Sequence, residues 1–140
     1  MMLAGTIDMQ DMRYLNLFRK ITGVSTKHVI KYNNMLIFCV PKKMLSKAIG
    51  KNARNLKKIN SILGKRIKVI PTPKSIEHVK EFIEAIVSPV KFKDLEVKDK
   101  EIVLTAGRQS KAALIGRNKR RLHEMQKIIE DFFSKEFRIV

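Results

Sequence analysis

The segment AIGKNARNLKKI, residues 48–59, returns in altered form as LIGRNKRRL, residues 114–122. When Gly50 is aligned with Gly116, an Ile, a Gly, an Asn, an Arg and a Leu occupy identical places, and Lys51 matches Arg117. In each copy the glycine interrupts a helical pattern. A repeated helix–glycine–helix segment of this kind predicts two related structural units in the chain.

Apolar spacing and turn residues predict the elements around the first copy. Asp8 can cap the first helix, the pair Asn33-Asn34 tolerates the positive φ of a tight turn, and Gly64 can end the helix that follows Gly50. In order, the elements are a helix over residues 9–22, two strands within residues 29–40, a helix over residues 44–49, a helix between residues 50 and 64, and a strand over residues 66–70.

The same order starts again after two prolines, at positions 71 and 73. Ser75 can cap the next helix, and a turn near Asp99-Lys100 joins two strands. The second series is a helix after residue 75, strands over residues 90–97 and 101–105, a short helix ending at residue 115, a long helix after residue 116 and a strand over residues 137–140. Both series run α-β-β-α-α-β, which predicts domains over residues 1–72 and 73–140.

Charge gives the broad class of partner. The formal net charge is +17, and two blocks, residues 41–73 and 102–123, carry ten and six Lys or Arg without any acid. Such blocks predict attraction to a polyanion, and nucleic acid is the commonest. A membrane surface is disfavoured, because the blocks belong to repeated globular units and not to one long amphipathic helix.

Several other features bear on location and chemistry. No apolar stretch is long enough to span a membrane, and the start lacks the basic and long apolar regions of a signal peptide. Cys39 is flanked by apolar residues and has no second cysteine to pair with, so we expect a buried, reduced thiol. We therefore expect a cytoplasmic protein.

The Gly-Lys step at residues 50–51 is not a nucleotide-binding loop. A Walker-type loop needs a glycine five residues before the Gly-Lys and a Ser or Thr after it. This chain has Leu45 and Asn52 at those places, and the second copy replaces the lysine with Arg117. We expect no cofactor and no small-molecule substrate.

A loop that grips a nucleic-acid backbone fits the repeat better. A glycine lets the backbone approach a phosphate closely, and the following helix directs its first N–H groups at the same phosphate. Asn52 and Asn118 stand where helix N-caps are expected. The loops hold Gly50, Lys51, Asn52, Ala53 and Arg54 in the first copy and Gly116, Arg117, Asn118, Lys119 and Arg120 in the second.

Residues beside the loops are further candidates. Ile49 and Ile115 precede the glycines and either anchor the loops in the core or line a groove for bases. Lys42, Lys43, Arg108 and Lys111 precede the short helices and are placed to flank a bound strand.

The element order and the Ile-Gly-basic-Asn loop resemble the KH RNA-binding domain in its prokaryotic, type II form. Two such units in a short basic chain resemble the archaeal NusA-like transcription termination/antitermination factors. The resemblance implies an α+β fold of two tandem type II KH domains, each with helices packed on one face of a three-stranded sheet. It also implies loops that clamp about four nucleotides of single-stranded RNA.

The chain departs from the KH pattern at the last loop position, where Ala53 and Lys119 replace the usual glycine. If that position has positive φ, each replacement costs about 1 kcal/mol or more. If it is the first helical residue, Ala is well suited and Lys adds a phosphate contact. We favour the second interpretation, because both copies changed while the neighbouring Asn and Arg stayed.

These observations predict a non-enzymatic protein that binds single-stranded RNA in transcription termination or antitermination. The three histidines are far apart in sequence and lack metal-ligand spacing, so no metal is expected. The alternative is an adaptor that contacts RNA polymerase or ribosomal components, with an acidic helix that carries Glu77, Glu81 and Glu84 as its contact surface.

Overall fold

A computed structural model of the chain describes residues 8–140, so the first seven residues of the predicted first domain lie outside the described part. The chain folds as two compact units. The first unit ends at Thr72, and the second spans Pro73–Val140.

The first unit is a three-stranded mixed sheet with three α-helices. Strand β2 is central and pairs antiparallel with β1 and parallel with β3. A 3₁₀ turn, Lys42–Met44, precedes α2. The elements are α1 Met9–Thr22, β1 His28–Tyr32, β2 Met35–Val40, α2 Leu45–Ile49, α3 Arg54–Leu63 and β3 Arg66–Pro71.

The predicted caps and turn of this unit are confirmed. The Asp8 carboxylate accepts a hydrogen bond of 2.7 Å from the Asp11 N–H at the start of α1. Asn33 and Asn34 both adopt positive φ, 51° and 59°, in the turn between β1 and β2. Gly64 ends α3 with φ 66°. Each confirmed position depends on the backbone preference of one residue type, which can be predicted from the sequence alone.

The first core lies between the helices and one face of the sheet. Leu36, Phe38 and Val40 of β2 share that face and pack with side chains of all three helices. The Phe18 and Phe38 rings stack with centroids 4.3 Å apart. The opposite side chains of β2 are buried as well, Cys39 among them, so the strand is buried on both faces. This packing therefore holds α2 and α3 at fixed positions on the sheet.

The second unit repeats the architecture. Strand β5 is central, antiparallel with β4 and parallel with β6. A 3₁₀ turn, Ile76–His78, precedes α4. The elements are α4 Val79–Val87, β4 Asp94–Val97, β5 Glu101–Thr105, α5 Arg108–Ile115, α6 Arg120–Phe133 and β6 Glu136–Ile139.

Aromatic side chains join the helices of the second unit. Phe82 of α4 lies against Phe132 and Phe133 of α6, with ring centroids 4.9 Å and 5.9 Å apart. Both helices bury one apolar face, as their sequence periodicity requires.

One predicted strand begins later than expected. Residues 90–97 were predicted as a strand, but β4 begins only at Asp94. At residue 90 the reason is local, because the Val90 N–H donates to the Val87 carbonyl and closes a turn at the end of α4. A backbone N–H used in that turn is not available to a strand ladder.

The described part of the chain thus has two three-stranded sheets and six α-helices, in the order α-β-β-α-α-β twice. This confirms the predicted α+β class, and the order is compatible with tandem KH-like domains. In residues 8–140 the helices are all too short or too polar to cross a membrane.

Candidate nucleic-acid interface

Both predicted loops lie between two helices that meet at a glycine. We call residues 50–53 the first loop and residues 116–119 the second loop. In each, the glycine follows a short helix, and a 3₁₀ turn then runs directly into a long helix. The short helices are α2 and α5, the turns are Lys51–Ala53 and Arg117–Lys119, and the long helices are α3 and α6.

The two loops share one backbone conformation. The glycine at the first position of each loop adopts positive φ with extended ψ. The residues at the third and fourth positions of each loop are both left-handed. No paired angle differs between the loops by more than 6°. The φ, ψ values are 79°, 167° at Gly50 and 75°, 172° at Gly116; 56°, 33° at Asn52 and 56°, 27° at Asn118; and 58°, 29° at Ala53 and 59°, 23° at Lys119.

The prediction that Asn52 and Asn118 are helix N-caps is wrong. The residues that precede α3 and α6 are Ala53 and Lys119, and neither makes a side-chain capping bond. An N-cap residue usually has extended backbone, whereas both asparagines are left-handed. Asparagine is suited to this conformation because it tolerates positive φ better than other side-chain-bearing residues. The repeated Asn therefore marks loop geometry.

The interpretation of Ala53 and Lys119 as first helical residues is also wrong. Both are left-handed, so each carries the strain that the alternative interpretation described. A left-handed residue other than glycine costs about 1–2 kcal/mol. The conformation persists in both copies, so contacts around each loop must hold it.

The first N–H groups of the long helices are only partly available to a ligand. In the first loop the Ala53 N–H donates to the Gly50 carbonyl at 3.1 Å, and the Arg54 N–H donates to Lys51. The second loop has the same two bonds, from Lys119 to Gly116 and from Arg120 to Arg117. These donors close the loop, so fewer backbone N–H groups remain for a ligand than we expected.

The charged loop side chains are exposed to solvent. Among the ion pairs of residues 8–140, Asp11 pairs with Lys31, and Glu101 pairs with Lys98 and Arg138. The loop cations are thus outside these pairs. The exposed residues are Lys51, Asn52 and Arg54 in the first copy and Arg117, Asn118, Lys119 and Arg120 in the second.

The flanking candidates fall into two groups. Lys42, Lys43 and Arg108 are exposed near the start of the short helices, whereas Lys111 is half-buried within α5. Aligning the loops places Arg108 opposite Lys42, so this cation occurs in both copies.

The two isoleucines before the glycines are half-buried. Ile49 packs against the core of the first unit, which agrees with the anchoring role considered above. The groove role of Ile49 and Ile115 stays a prediction.

Sequence reasoning missed two side chains that join the helices at each loop. Asn55 donates from Nδ2 to the carbonyls of Lys47 and Ala48, at 3.1 Å and 3.2 Å. Arg121 donates from its guanidinium to the Ala113 carbonyl at 3.0 Å. Both residues lie five positions after the loop glycine, and both reach the carbonyl three positions before it. The signal is weak in sequence, because the two copies use different residue types.

A surface cavity of about 440 Å³ lies along α6 and β6 in the second unit. Arg138 pairs with Glu101 at 3.1 Å, and this guanidinium holds the pKa of the Glu101 carboxyl below its usual value. Carboxylates, the cations of Lys135 and Arg138, and apolar side chains line the cavity. Its lining includes Glu101, Leu122, Gln126, Glu130, Glu136 and Phe137.

The two units differ greatly in charge. Residues 1–72 contain fifteen Lys or Arg and two acids, a formal net charge of +13. Residues 73–140 contain fifteen Lys or Arg and eleven acids, a net charge of +4. The first loop is therefore set in a strongly basic unit and the second in a nearly balanced one.

Two observations on the described residues concern metal and thiol chemistry. Across residues 8–140, His, Cys, Asp and Glu form no group of three or more that could hold a metal ion. Burial raises the pKa of the Cys39 thiol to about 12, so the thiol is neutral and shielded. Whether the chain is an enzyme is not decided by these findings, and the non-enzymatic role stays a prediction.

Comparisons with known proteins agree with this geometry. No family model matches the chain. Over 92 residues it is 29% identical to the protein described as "Probable transcription termination protein NusA" from Methanococcus vannielii. That match covers 66% of this chain and 51% of the relative, so the chain spans about half the length of this curated relative.

A solved structure covers almost the whole fold. The structure described as "Crystal structure of APE1850" matches 95% of this chain and 99% of its own, with a TM-score of 0.68 and 25% identity. Together the two likenesses support a NusA-like, KH-type relationship.

Proposed function

We propose that this chain is a NusA-like RNA-binding protein that grips single-stranded RNA through its two loops and acts in transcription termination or antitermination. The observation that carries the proposal is the repeated loop, because two copies with different side chains keep one strained backbone and the same exposed basic positions. The likeness to a probable transcription termination protein supports the transcription role. The protein acts without catalysis, cofactor or metal, in the cytoplasm.

Each loop residue has a physical role in this proposal. Gly50 and Gly116 supply the positive φ with extended ψ that shapes each loop, so the loop can present its backbone to a sugar-phosphate chain. Lys51 and Arg117 neutralise phosphates, and Arg54 and Arg120 add charge at the start of the long helices. Two moderate sites on one chain then give tight binding, because the second contact is intramolecular.

The test is charge reversal at both loops. A variant with Lys51→Asp, Asn52→Asp, Arg117→Asp and Asn118→Asp should lose RNA binding, measured by fluorescence anisotropy with labelled single-stranded RNA at several salt concentrations. Aspartate tolerates the left-handed conformation, so circular dichroism should show an unchanged fold. The parent protein should show a steep salt dependence, with about 0.7 in logarithmic slope for each phosphate contact. RNA affinity that survives all four changes would show that the loops are not the site.

A second function rests on a separate surface. Glu77, Glu81 and Glu84 are exposed at spacings that place them on one side of the helical segment around α4. In this alternative the acidic side contacts RNA polymerase or a ribosomal component, and the basic blocks serve solubility. Co-purification with such a protein that persists after nuclease treatment, and that is lost on changing the three glutamates to Gln, favours the adaptor.

A further inference from the structure

The side chains of Asn55 and Arg121 occupy equivalent places beside the two loops. Each is the second residue of its long helix, and each donates to a carbonyl in the last turn of the preceding short helix. Those carbonyls lie at a helix C-terminus, where the last four lack partners within the helix. One side chain therefore bonds to carbonyl groups at the end of one helix and links that helix to the start of the next. We call this link the tie.

The loop glycine and this side chain fit together. A Cβ built on Gly50 would lie 3.0 Å from Nδ2 and 3.1 Å from Cγ of Asn55. A Cβ on Gly116 would lie 3.0 Å from Cγ and 3.2 Å from Cβ of Arg121. Real Cβ contacts are rarely so short, so the absence of a side chain at the glycine makes room for the tie. The glycine thus serves the inside of the loop.

We infer that Asn55 and Arg121 are positioning residues that hold the two loops in the left-handed conformation. The reason is that Ala53 and Lys119 are strained in that conformation and would relax if the two helices could separate. The tie fixes the ends between which the loop must close. Its consequence for RNA rests on the proposed function, whereas its consequence for the loop itself does not.

The inference separates two neighbouring arginines by role. The Arg121 guanidinium is bonded to a carbonyl and the side chain is half-buried, whereas Arg120 is exposed. Arg120 is then a cation for a ligand and Arg121 a support for the loop. Asn55 carries the same role without charge, so replacing it with another neutral residue leaves the net charge of the loop unchanged.

The first experiment measures the free protein. Amide hydrogen exchange by NMR should report loop opening at the Gly50 N–H, which donates to Ser46, and at the Ala53 N–H, which donates to Gly50. In Asn55→Leu, which is similar in size and cannot donate, exchange at both amides should be roughly tenfold faster, as expected for loss of ordinary hydrogen bonds. If Asn55→Leu fails to fold, Asn55→Ala replaces it.

Two further variants make the result specific. Asn55→Arg installs the residue that the second copy uses, and it should restore slow exchange in the first loop. Asn60→Ala is the matched control, because Asn60 also lies in α3 and donates from its amide to a carbonyl, that of Lys65, but at the far end of the helix. Its loop exchange should equal that of the parent. Unchanged exchange in both Asn55→Leu and Asn55→Ala would overturn the inference.

The second experiment adds single-stranded RNA. If the binding-competent loop becomes a minor population, apparent affinity falls with that population, so Asn55→Leu should bind roughly tenfold more weakly with an unchanged salt slope. A parent protein that binds no RNA would refute the proposed function and leave the exchange result standing. A parent that binds RNA while Asn55→Leu exchanges faster and binds equally well would overturn the positioning role in binding.

Discussion

The first loop and the second loop have the same backbone but lie in units of different charge. Their paired φ, ψ angles agree within 6°, and both are tied by a side chain five residues after the glycine. Around them, the first unit has a net charge of +13 and the second +4. The two units therefore share the geometry of the loop and differ in net charge, which under the proposed function sets the attraction for an anion.

The helices after the loops show the same contrast. Aligned from their glycines, Lys57 and Lys58 of α3 stand opposite His123 and Glu124 of α6. Helix α6 is also longer than α3, with 14 residues against 10. It borders the surface cavity, whose lining includes carboxylates. Charges within a Debye length, about 8–10 Å, act together on a bound phosphate. The first unit is therefore expected to supply most of the affinity for a polyanion.

The largest effect should come from breaking one loop at a time. Lys51→Asp with Asn52→Asp should weaken RNA binding roughly a hundredfold, and Arg117→Asp with Asn118→Asp roughly tenfold, because the first unit is the more basic and is expected to supply more of the affinity. Fluorescence anisotropy titrations at several salt concentrations measure both.

The matched control for the first loop is Asn16→Asp with Lys20→Asp. This pair makes the same change of charge at exposed positions of α1. It should weaken binding only slightly, through long-range attraction. Equal losses for the two loop variants would show that the net charge of each unit does not set its share of the affinity.

A middle effect should come from placing a Cβ at each loop glycine. The backbone of Gly50 and Gly116 is almost restricted to glycine, so Gly50→Ala and Gly116→Ala should each lower the free energy of unfolding by about 2 kcal/mol. Chemical denaturation followed by circular dichroism measures this. Similar losses are expected in both units, because the two glycines have the same backbone angles and the strain does not depend on the charge of the unit.

Gly64→Ala is the control for that experiment. Gly64 also has positive φ, but a Cβ there would meet no atom within 4 Å. It should cost only about 1 kcal/mol, from backbone strain alone. A loop variant no worse than Gly64→Ala would show that the packing of Asn55 or Arg121 against the glycine carries no energy.

The smallest effect should come from restoring glycine at the last loop position. Ala53→Gly and Lys119→Gly should each raise the free energy of unfolding by roughly 0.5–1 kcal/mol, because relief of left-handed strain exceeds the extra backbone entropy of glycine. Thermal unfolding measures the stability. In RNA titrations Lys119→Gly should also lower the salt slope by about 0.7, since one cation is lost, whereas Ala53→Gly should leave it unchanged.

Ala112→Gly, at an exposed position inside α5, should have the opposite sign and cost roughly 1 kcal/mol. If Ala53→Gly destabilises as much as Ala112→Gly does, the left-handed conformation of Ala53 is not strained.

Much of the fold could be predicted because its signals are local. Asp8, the Asn33-Asn34 turn and Gly64 each express a preference of the backbone at one position, and the structure has them where expected. Val90 was wrongly predicted to lie in a strand, because its N–H closes a turn, which depends on a hydrogen bond and not on residue type. The repeat located both loops, because the identical residues of the two copies, which lie 66 positions apart, are visible without any structure.

The conformation inside the loops could not be predicted in the same way. Alanine favours helix, so Ala53 suggested a helical residue, and only the packing around the loop holds it at positive φ. Asn55 and Arg121 could not be recognised from the repeat, because the two copies bond the equivalent carbonyl with side chains of different length and charge.

By itself, the sequence determined that this protein has two related α+β units, each with a glycine-centred loop, and that the first unit is far more basic than the second. These properties depend on composition, on periodicity and on residues with strong local preferences. Tertiary structure decided which loop residues are left-handed, which N–H groups are already bonded and which side chains tie the helices together. These depend on carbonyls and side chains that meet only when two helices pack at a fixed distance.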